Sequence, residues 1–220
     1  MSLYLSQSFS ENGKTLNAFI VSLNSETLPE YLVDIIEDVF KTLSVVMNDT
    51  NQVLYIRDIK SLAINGIYPG GYCYNRHEAM IAVPSWKVDK KQLQASIAHE
   101  LHHMARWQNI GYGDTLGGAI ISEGIATYYE KLITGWISPW SKTELNESMI
   151  LAAQKEWNSK TYNHSEWFFE GNLGRWVGYS IGCIIAEELY KSKFSLLDSV
   201  KIQPKDAEPI IDRLLHTFKT

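Results

Sequence analysis

The chain has 220 residues, of which 45% are apolar and 20% charged, and its formal net charge is -5. This length and apolar content suffice to bury one substantial core, so we expect a single compact domain over residues 1–220. The mildly acidic charge provides no basic stripe for a phosphate backbone, which argues against nucleic acid as the main ligand.

The first part of the chain predicts strands and one amphipathic helix. Residues 15–23 and 52–58 have the composition and flanking residues of strands. Between them, residues 29–47 place apolar side chains three and four positions apart, which predicts a helix with one apolar face. Residues 70–75 and 79–83 form two further short segments, which together are typical of a hairpin.

From Asp89 onward the pattern is that of helices. Asp89, followed three residues later by Gln92, is a capping-box signature, and neither Gly nor Pro occurs again until Gly111. A second helix is predicted after Asp114, and a third from Ser141, which has a glutamate three positions later. The last two are predicted over residues 176–191 and near residues 208–217. Strands first and helices afterwards is an α+β pattern.

The cysteines and the N-terminus bear on the compartment. Cys73 and Cys183 lie far apart and outside any C-x-x-C pair, so we expect buried thiols and no disulfide framework. The N-terminal residues lack the basic start and apolar core of a signal peptide, and no apolar run reaches the ~18 residues of a membrane span. We therefore expect a cytoplasmic protein without a membrane span.

The chemistry is concentrated in the helix predicted to begin after Asp89, in the sequence His99-Glu100-Leu101-His102-His103. It matches H-E-x-x-H, in which two histidines one helical turn apart present imidazoles about 6 Å from each other on one face. This arrangement suits a tetrahedral zinc ion, so His99 and His103 are predicted metal ligands.

Glu123 is the predicted third ligand, in the middle of the next helix and twenty residues after His103. Gly111 and Gly113 allow the chain to reverse between the two helices. Glycines and alanines surround Glu123 and keep its helix thin, which favours a close approach to a metal.

"HELHH" followed by "SEGIATYY" resembles the gluzincin branch of the zinc metallopeptidases, to which thermolysin belongs. With "GYSIGCIIAEEL", these stretches also resemble a bacterial family of predicted zinc-dependent proteases with a domain of unknown function, over about residues 70–190. The resemblance implies a zincin-like fold, with a small twisted N-terminal sheet, an active-site helix and a mainly helical C-terminal half. It also implies that an exposed strand binds the substrate backbone as an added strand; the residues in that place are Gly71, Tyr72, Cys73 and Tyr74.

Two histidines and a glutamate leave the fourth zinc position open, as in catalytic sites. Glu100 is the candidate general base, which takes a proton from the attacking water and passes it to the leaving amine. Tyr179 is the candidate donor for the oxyanion, because Gly178 and Gly182 allow its helix to come close to the site. The rivals of Tyr179 are His164, Tyr162 and Arg175.

The surroundings of the histidines differ from thermolysin-like enzymes, which carry an aspartate one turn after the glutamate ligand to orient the first histidine. Thr127 occupies that position here. Asp114, Glu130 or a backbone carbonyl remain as candidates for the orienting group. His102 is expected near the site or at the surface, and Arg106 to be solvated or ion-paired.

These patterns favour a zinc metallohydrolase, and most directly a peptidase that acts on a peptide or protein substrate. One alternative is a regulatory or interaction protein that keeps the zinc scaffold without useful turnover. Glu100 argues against that alternative, because an inactive scaffold needs no base. Hydrolysis of a non-peptide amide is a third possibility, since zinc and a base attack any accessible carbonyl.

Overall fold

The computed structural model describes residues 3–23, 26–192 and 194–217. Strands dominate the first part of the chain and helices the second, which confirms the α+β prediction. The chain forms two compact units. Unit 1 is Met1–Gly111 with Tyr129–Trp136, and unit 2 is Tyr112–Tyr128 with Ile137–Thr220. That the whole chain is one domain stays a prediction.

Unit 1 contains a five-stranded sheet with the strand order β1-β2-β3-β5-β4. Its strands are β1 (Leu3–Glu11), β2 (Lys14–Ser22), β3 (Asn51–Arg57), β4 (Gly70–Asn75) and β5 (Glu78–Ala82). β2, β3 and β5 are parallel neighbours, whereas β1 and β4 pair antiparallel at the two ends. The predicted hairpin is confirmed as β4 and β5, and β4 is an edge strand.

Two helices of unit 1 are α1 (Leu32–Ser44) and α2 (Lys90–Asn109). The strands bury alternate residues, as in β2, where Leu16, Ala18 and Ile20 are fully buried. α1 buries the apolar stripe that its spacing predicted. α1 contacts α2, and α2 contacts β4 and β5. The helix that carries the histidines is therefore held against the edge of the sheet.

The start of α2 is fixed by Asp89, whose side chain accepts hydrogen bonds from the backbone N–H groups of Lys91 and Gln92. These bonds satisfy amides that have no partner inside the helix, which stabilises the helix by about 1 kcal/mol. α2 then runs for 20 residues. Its end is followed by Gly111 and Gly113, both with positive φ, as the predicted reversal requires.

The remaining elements are α3 (Leu116–Thr134), α4 (Glu147–Glu156), α5 (His164–Phe168), β6 (Glu170–Gly171), β7 (Gly174–Arg175), α6 (Val177–Lys191), α7 (Leu196–Ser199) and α8 (Pro204–Thr217). Apart from the last residues of α3, they belong to unit 2. The core of unit 2 is built from buried residues of these helices, among them Ile120, Trp167, Ile181 and Ile211. Among the described residues, no helix is long and apolar enough to cross a membrane.

Within unit 2, α3 and α6 approach each other closely at two glycines. A Cβ added to Gly182 would lie 2.2 Å from the carbonyl oxygen of Ile120 and 2.7 Å from the Cα of Gly124. No side chain fits at either glycine, because real Cβ atoms do not approach other atoms so closely. Gly124 and Gly182 therefore allow α3 and α6 to pack closely within this unit, whereas the predicted approach of these helices to the metal site stays a prediction.

The prediction of a helix that starts at Ser141 is wrong. Residues Pro139–Ser141 form a short 3-10 turn, in which the Ser141 hydroxyl donates to the carbonyl oxygen of Ser138. α4 begins only at Glu147, because the side chain of Asn146 accepts from the N–H of Met149 and caps it. The last helix starts at Pro204, where the missing N–H of proline costs nothing.

Candidate metal centre

His99 and His103 lie one turn apart on α2, and both are buried. Their Nε2 atoms are 2.9 Å apart, and their ring centroids 4.6 Å apart at an interplanar angle of 79°. Two ring nitrogens therefore face the same small volume. The spacing in the sequence accounts for this, because residues four apart share one face of an α-helix.

Glu130 orients the first of these histidines. Its Oε1 atom lies 2.5 Å from Nδ1 of His99, and Glu130 is buried. An Nδ1–H that donates to this carboxylate leaves the Nε2 lone pair of His99 available to a cation. Glu130, one of the candidates for this role, is thus in contact with His99. Asp114 is instead exposed and pairs with Lys160 at 2.5 Å.

Glu123 is buried and completes a group of three possible ligands. His99, His103 and Glu123 each offer one ligand atom, and these atoms all lie within 4.8 Å of one another. Two imidazole nitrogens and one carboxylate oxygen form a ligand set that catalytic zinc sites use. The chemistry of the donors therefore fits zinc, and these residues could hold a metal ion.

Tyr112 contacts Glu123 and was missed by the sequence analysis. Its hydroxyl donates to Oε1 of Glu123 at 2.6 Å. Burial, followed by the nearby charge of Glu123, raises the pKa of Tyr112 well above its usual value, so the hydroxyl keeps its proton. Tyr112 lies between Gly111 and Gly113, in the loop that the sequence analysis treated only as a turn.

Three further side chains of unit 2 lie in the electrostatic surroundings of Glu123 and Tyr112. Burial, and then the charge of Glu123, raises the pKa of Tyr162. Burial lowers the pKa of His164, and Glu123 opposes this shift. Tyr179 packs edge-on against Phe168, with ring centroids 5.3 Å apart, and contributes to the raised pKa of Tyr112.

Arg175 has a different environment from the other rivals of Tyr179. It is exposed, and its guanidinium carbon lies 4.1 Å from the centroid of the Trp176 ring. Such a cation–π contact holds the charged group against an aromatic face.

Glu100 is buried on α2 and lies against the edge strand β4. A Cβ added to Gly71 would be 2.3 Å from Oε1 of Glu100 and 2.4 Å from its Cγ. Only glycine fits at position 71 while Glu100 keeps this conformation. The predicted substrate strand and the predicted general base are thus in direct contact.

The other predicted substrate residues lie along the same strand. Tyr72 and Tyr74 are exposed, whereas Cys73 is half-buried, and its Sγ lies 3.2 Å from the backbone oxygen of Asn75.

Cys183 is also half-buried, so the prediction of two buried thiols is wrong. β4 is a short edge strand, which leaves its thiol side chain only partly covered.

His102 and Arg106 are both buried, which excludes the surface position considered for His102 and the solvated role considered for Arg106. The His102 ring lies 5.4 Å from that of Tyr129. Burial holds the pKa of His102 well below its usual value, and the neighbouring His103 and Arg106 add to this effect. His102 is therefore a neutral part of the packing around the other two histidines.

The fold is similar to that of solved zinc metallopeptidases. A variant of a two-domain M1 zinc metallopeptidase bound to L-tryptophan has a TM-score of 0.54 at 13% identity, over 97% of this chain and 51% of that one. The M1 zinc metallopeptidase from Deinococcus radiodurans gives 0.53 at 14%, over 97% and 51%. An aminopeptidase N family protein from Idiomarina loihiensis gives 0.51 at 11%, over 98% and 41%.

At these identities the likeness shows the fold alone, and the chain spans only 41–51% of the length of these proteins. The zincin-type fold is thereby confirmed. None of the curated proteins matches this sequence. The family model described as "Predicted Zn-dependent protease (DUF2268)" matches residues 70–208, which include both histidines and Glu123. This match covers more than half of the chain, and the chain belongs to that family of predicted zinc-dependent proteases.

Proposed function

We propose that this chain is a zinc metallopeptidase in which His99, His103 and Glu123 hold the metal and Glu100 is the general base. Family and fold are those of zinc-dependent proteases. The observation that carries the finer proposal is the group of three buried ligand atoms within 4.8 Å of one another. The contact of Glu130 with His99 supports it, because that contact leaves Nε2 available.

The number of ligands favours a catalytic site over a structural one. Structural zinc sites use four protein ligands, whereas catalytic sites use three and keep one position open. A zinc ion held here would polarise the substrate carbonyl and increase the acidity of the attacking water. Tyr112 would hold the Glu123 carboxylate in place through its hydrogen bond.

Glu100 takes the proton of the attacking water and delivers it to the leaving amine. A carboxylate suits this role, because a side chain positioned to accept and return one proton accelerates hydrolysis by about 10²–10⁴-fold. Glu100 is buried, and its contact with Gly71 restricts its conformation. A restricted base is held ready for the transfer without a further ordering cost.

The substrate binds as an additional strand along β4, at Gly71, Tyr72, Cys73 and Tyr74. Two observations support this placement: among the described strands β4 pairs with β5 alone, and Gly71 contacts Glu100. A peptide that pairs with β4 gains backbone hydrogen bonds whatever its sequence. It also lies one strand spacing, about 4.8 Å, from the strand that touches the base.

Tyr179 donates a hydrogen bond to the oxyanion that forms when water attacks. Its place near Tyr112 supports this role, since it contributes to the raised pKa of that residue. Loss of one oxyanion donor typically costs about 3–4 kcal/mol in the transition state. Tyr162, His164 and Arg175 remain rivals, and the charge of Glu123 affects the pKa values of the first two.

A digest of a peptide library by the zinc-loaded protein tests this proposal. We expect cleavage that a chelator abolishes, that added zinc restores, and that Glu100→Gln removes without loss of zinc. Glu166→Gln is the matched control, because Glu166 lies outside the proposed site, and its carboxylate accepts from the backbone N–H and the side-chain amide of the nearby Asn172. Cleavage that persists in Glu100→Gln would overturn the role of Glu100. No cleavage of any peptide by the zinc-loaded protein would favour the scaffold or non-peptide alternatives.

A further inference from the structure

The edge strand β4 carries two exposed tyrosines beside a methionine of β5. Tyr72 is 61% exposed and Tyr74 is 46% exposed. Their rings lie 5.1 Å apart at 69°, and the Tyr74 hydroxyl lies 3.4 Å from Sδ of Met80. Tyr72 is also the strand partner of Met80. We call Tyr72, Tyr74 and Met80 the edge aromatic patch.

The patch lies on the face of β4 that points away from Glu100. A Cβ on Gly71 would collide with Glu100, so position 71 faces α2. Successive side chains of a strand point to opposite faces, which places Tyr72 on the other face. Contact between the two tyrosine rings shows that Tyr74 shares this face, although the pairing of β4 with β5 shifts register between Cys73 and Asn75.

The patch continues across the sheet into two further aromatic residues, and the guanidinium carbon of Arg57 lies 5.4 Å from the ring centroid of one of them, Tyr55. Met80 pairs with Tyr55, and Tyr55 pairs with Phe19. The rings of Phe19 and Tyr55 stack with centroids 5.6 Å apart. This row of large side chains ends at the edge strand β4. Side chains of a strand added along β4 would therefore meet apolar and aromatic neighbours on this face.

We propose that the edge aromatic patch selects peptide substrates with large apolar or aromatic side chains at alternate positions, on the face of the added strand opposite to Glu100. This inference rests on the proposed function, because it takes the occupant of the edge to be the substrate. We take the substrate to be the ligand of this edge because the strand that carries both tyrosines also touches the proposed base through Gly71.

The selection has a simple physical basis. Side chains of the peptide alternate between the two faces, so every second residue lies beside Tyr72 or Tyr74. A cross-strand aromatic or apolar pair improves binding by up to about fivefold over an alanine pair. A small polar side chain such as serine forms no such pair in that place, so it is disfavoured.

Two labelled peptides of equal length test the inference, one with phenylalanine at alternate positions and one with serine there. Binding to zinc-loaded Glu100→Gln protein is measured by fluorescence anisotropy, so that no cleavage is needed. We expect at least a fivefold preference for the phenylalanine peptide. In the double variant Tyr72→Ser, Tyr74→Ser, the ratio of the two dissociation constants should fall toward one. Tyr4→Ser is the matched control, since Tyr4 is also 61% exposed but lies on β1 at the other edge.

Equal binding of the two peptides, or a preference that survives the double variant, would overturn the inference. So would a change of oligomeric state in the double variant with unchanged peptide preference, because the patch would then bind a second copy of the chain. The exposed positions of both tyrosines predict unchanged thermal unfolding, which checks that the variants fold. Failure of the proposed function is a separate result, because it appears as zinc-loaded wild-type protein that cleaves neither peptide.

Discussion

His99 and Glu130 form a buried pair, with Nδ1 of the histidine 2.5 Å from Oε1 of the glutamate. Seven residues separate Glu130 from Glu123, which is two helical turns, so both carboxylates lie on nearly the same face of α3. One is a proposed ligand, and the other fixes the ring of a proposed ligand. Partners of this kind commonly change metal affinity by about 10–100-fold.

Glu130→Gln is expected to weaken zinc binding by about tenfold or more, because the amide keeps the volume of the side chain and loses its charge. Competition with a chromophoric chelator measures the dissociation constant. Asp114→Asn is the control, since Asp114 is exposed and pairs with Lys160. Equal zinc affinity in Glu130→Gln and wild-type protein would show that Glu130 does not act on the metal.

Tyr112→Phe removes the hydroxyl that donates to Glu123 at 2.6 Å. We expect weaker zinc binding, because the carboxylate loses the group that holds it in place. Tyr31→Phe is the matched control: it also removes one tyrosine hydroxyl with one hydrogen bond, which goes to the carbonyl oxygen of Val88. Both variants should lose about 1 kcal/mol of stability, and only Tyr112→Phe should lose zinc affinity. Tighter zinc binding in Tyr112→Phe would instead mean that the hydroxyl competes with the metal.

Gly71→Ala should separate catalysis from metal binding. The added Cβ would lie 2.4 Å from Cγ of Glu100, which is not the flexible end of the side chain, so the glutamate must change its rotamer. We expect kcat to fall by about 10²-fold or more, which approaches the effect of removing the general base. The zinc content should not change. Ser6→Ala, at an exposed position of the other edge strand, β1, should change kcat little. Full activity of Gly71→Ala would contradict the assignment of Glu100 as a restricted base.

Gly182→Ala should destabilise the fold. Its Cβ would lie 2.2 Å from the carbonyl oxygen of Ile120, and backbone atoms there cannot move without separating α6 from α3. Overpacking of this kind lowers the free energy of unfolding by about 1–3 kcal/mol, which chemical denaturation measures. Ile184→Ala, at an exposed position of the same helix, is expected to cost much less. Equal stability of the two variants would show that the helices separate freely.

Several features of the site could be predicted because they depend on short spacings. The positions of His99 and His103 follow from the helical repeat, and the start of their helix follows from Asp89. Gly124 and Gly182 predicted a close helix contact, because glycine in a helix interior is unfavourable without a packing reason. Each of these features depends on the types and spacing of residues that are close in the sequence, so each can be predicted from the sequence.

Contacts between distant or irregular segments could not be predicted in the same way. Tyr112 lies in a loop, and its bond to Glu123 depends on the path of that loop. β1 was not predicted, because an edge strand with an exposed face shows little apolar alternation. Ser141 has a glutamate three residues later, but Asn146 caps the helix instead. A capping pattern predicts a helix start only where the chain that follows can pack.

The metal content of the purified protein, measured beside that of Glu123→Ala, tests whether His99, His103 and Glu123 form a zinc site. We expect about one zinc per wild-type chain, removed by a chelator, and a large loss of zinc in the variant, because two histidines alone hold zinc weakly. Thermal unfolding with and without zinc shows whether the variant still folds. Full zinc occupancy in a folded Glu123→Ala protein, or a wild-type chain that binds no zinc, would rule out this site.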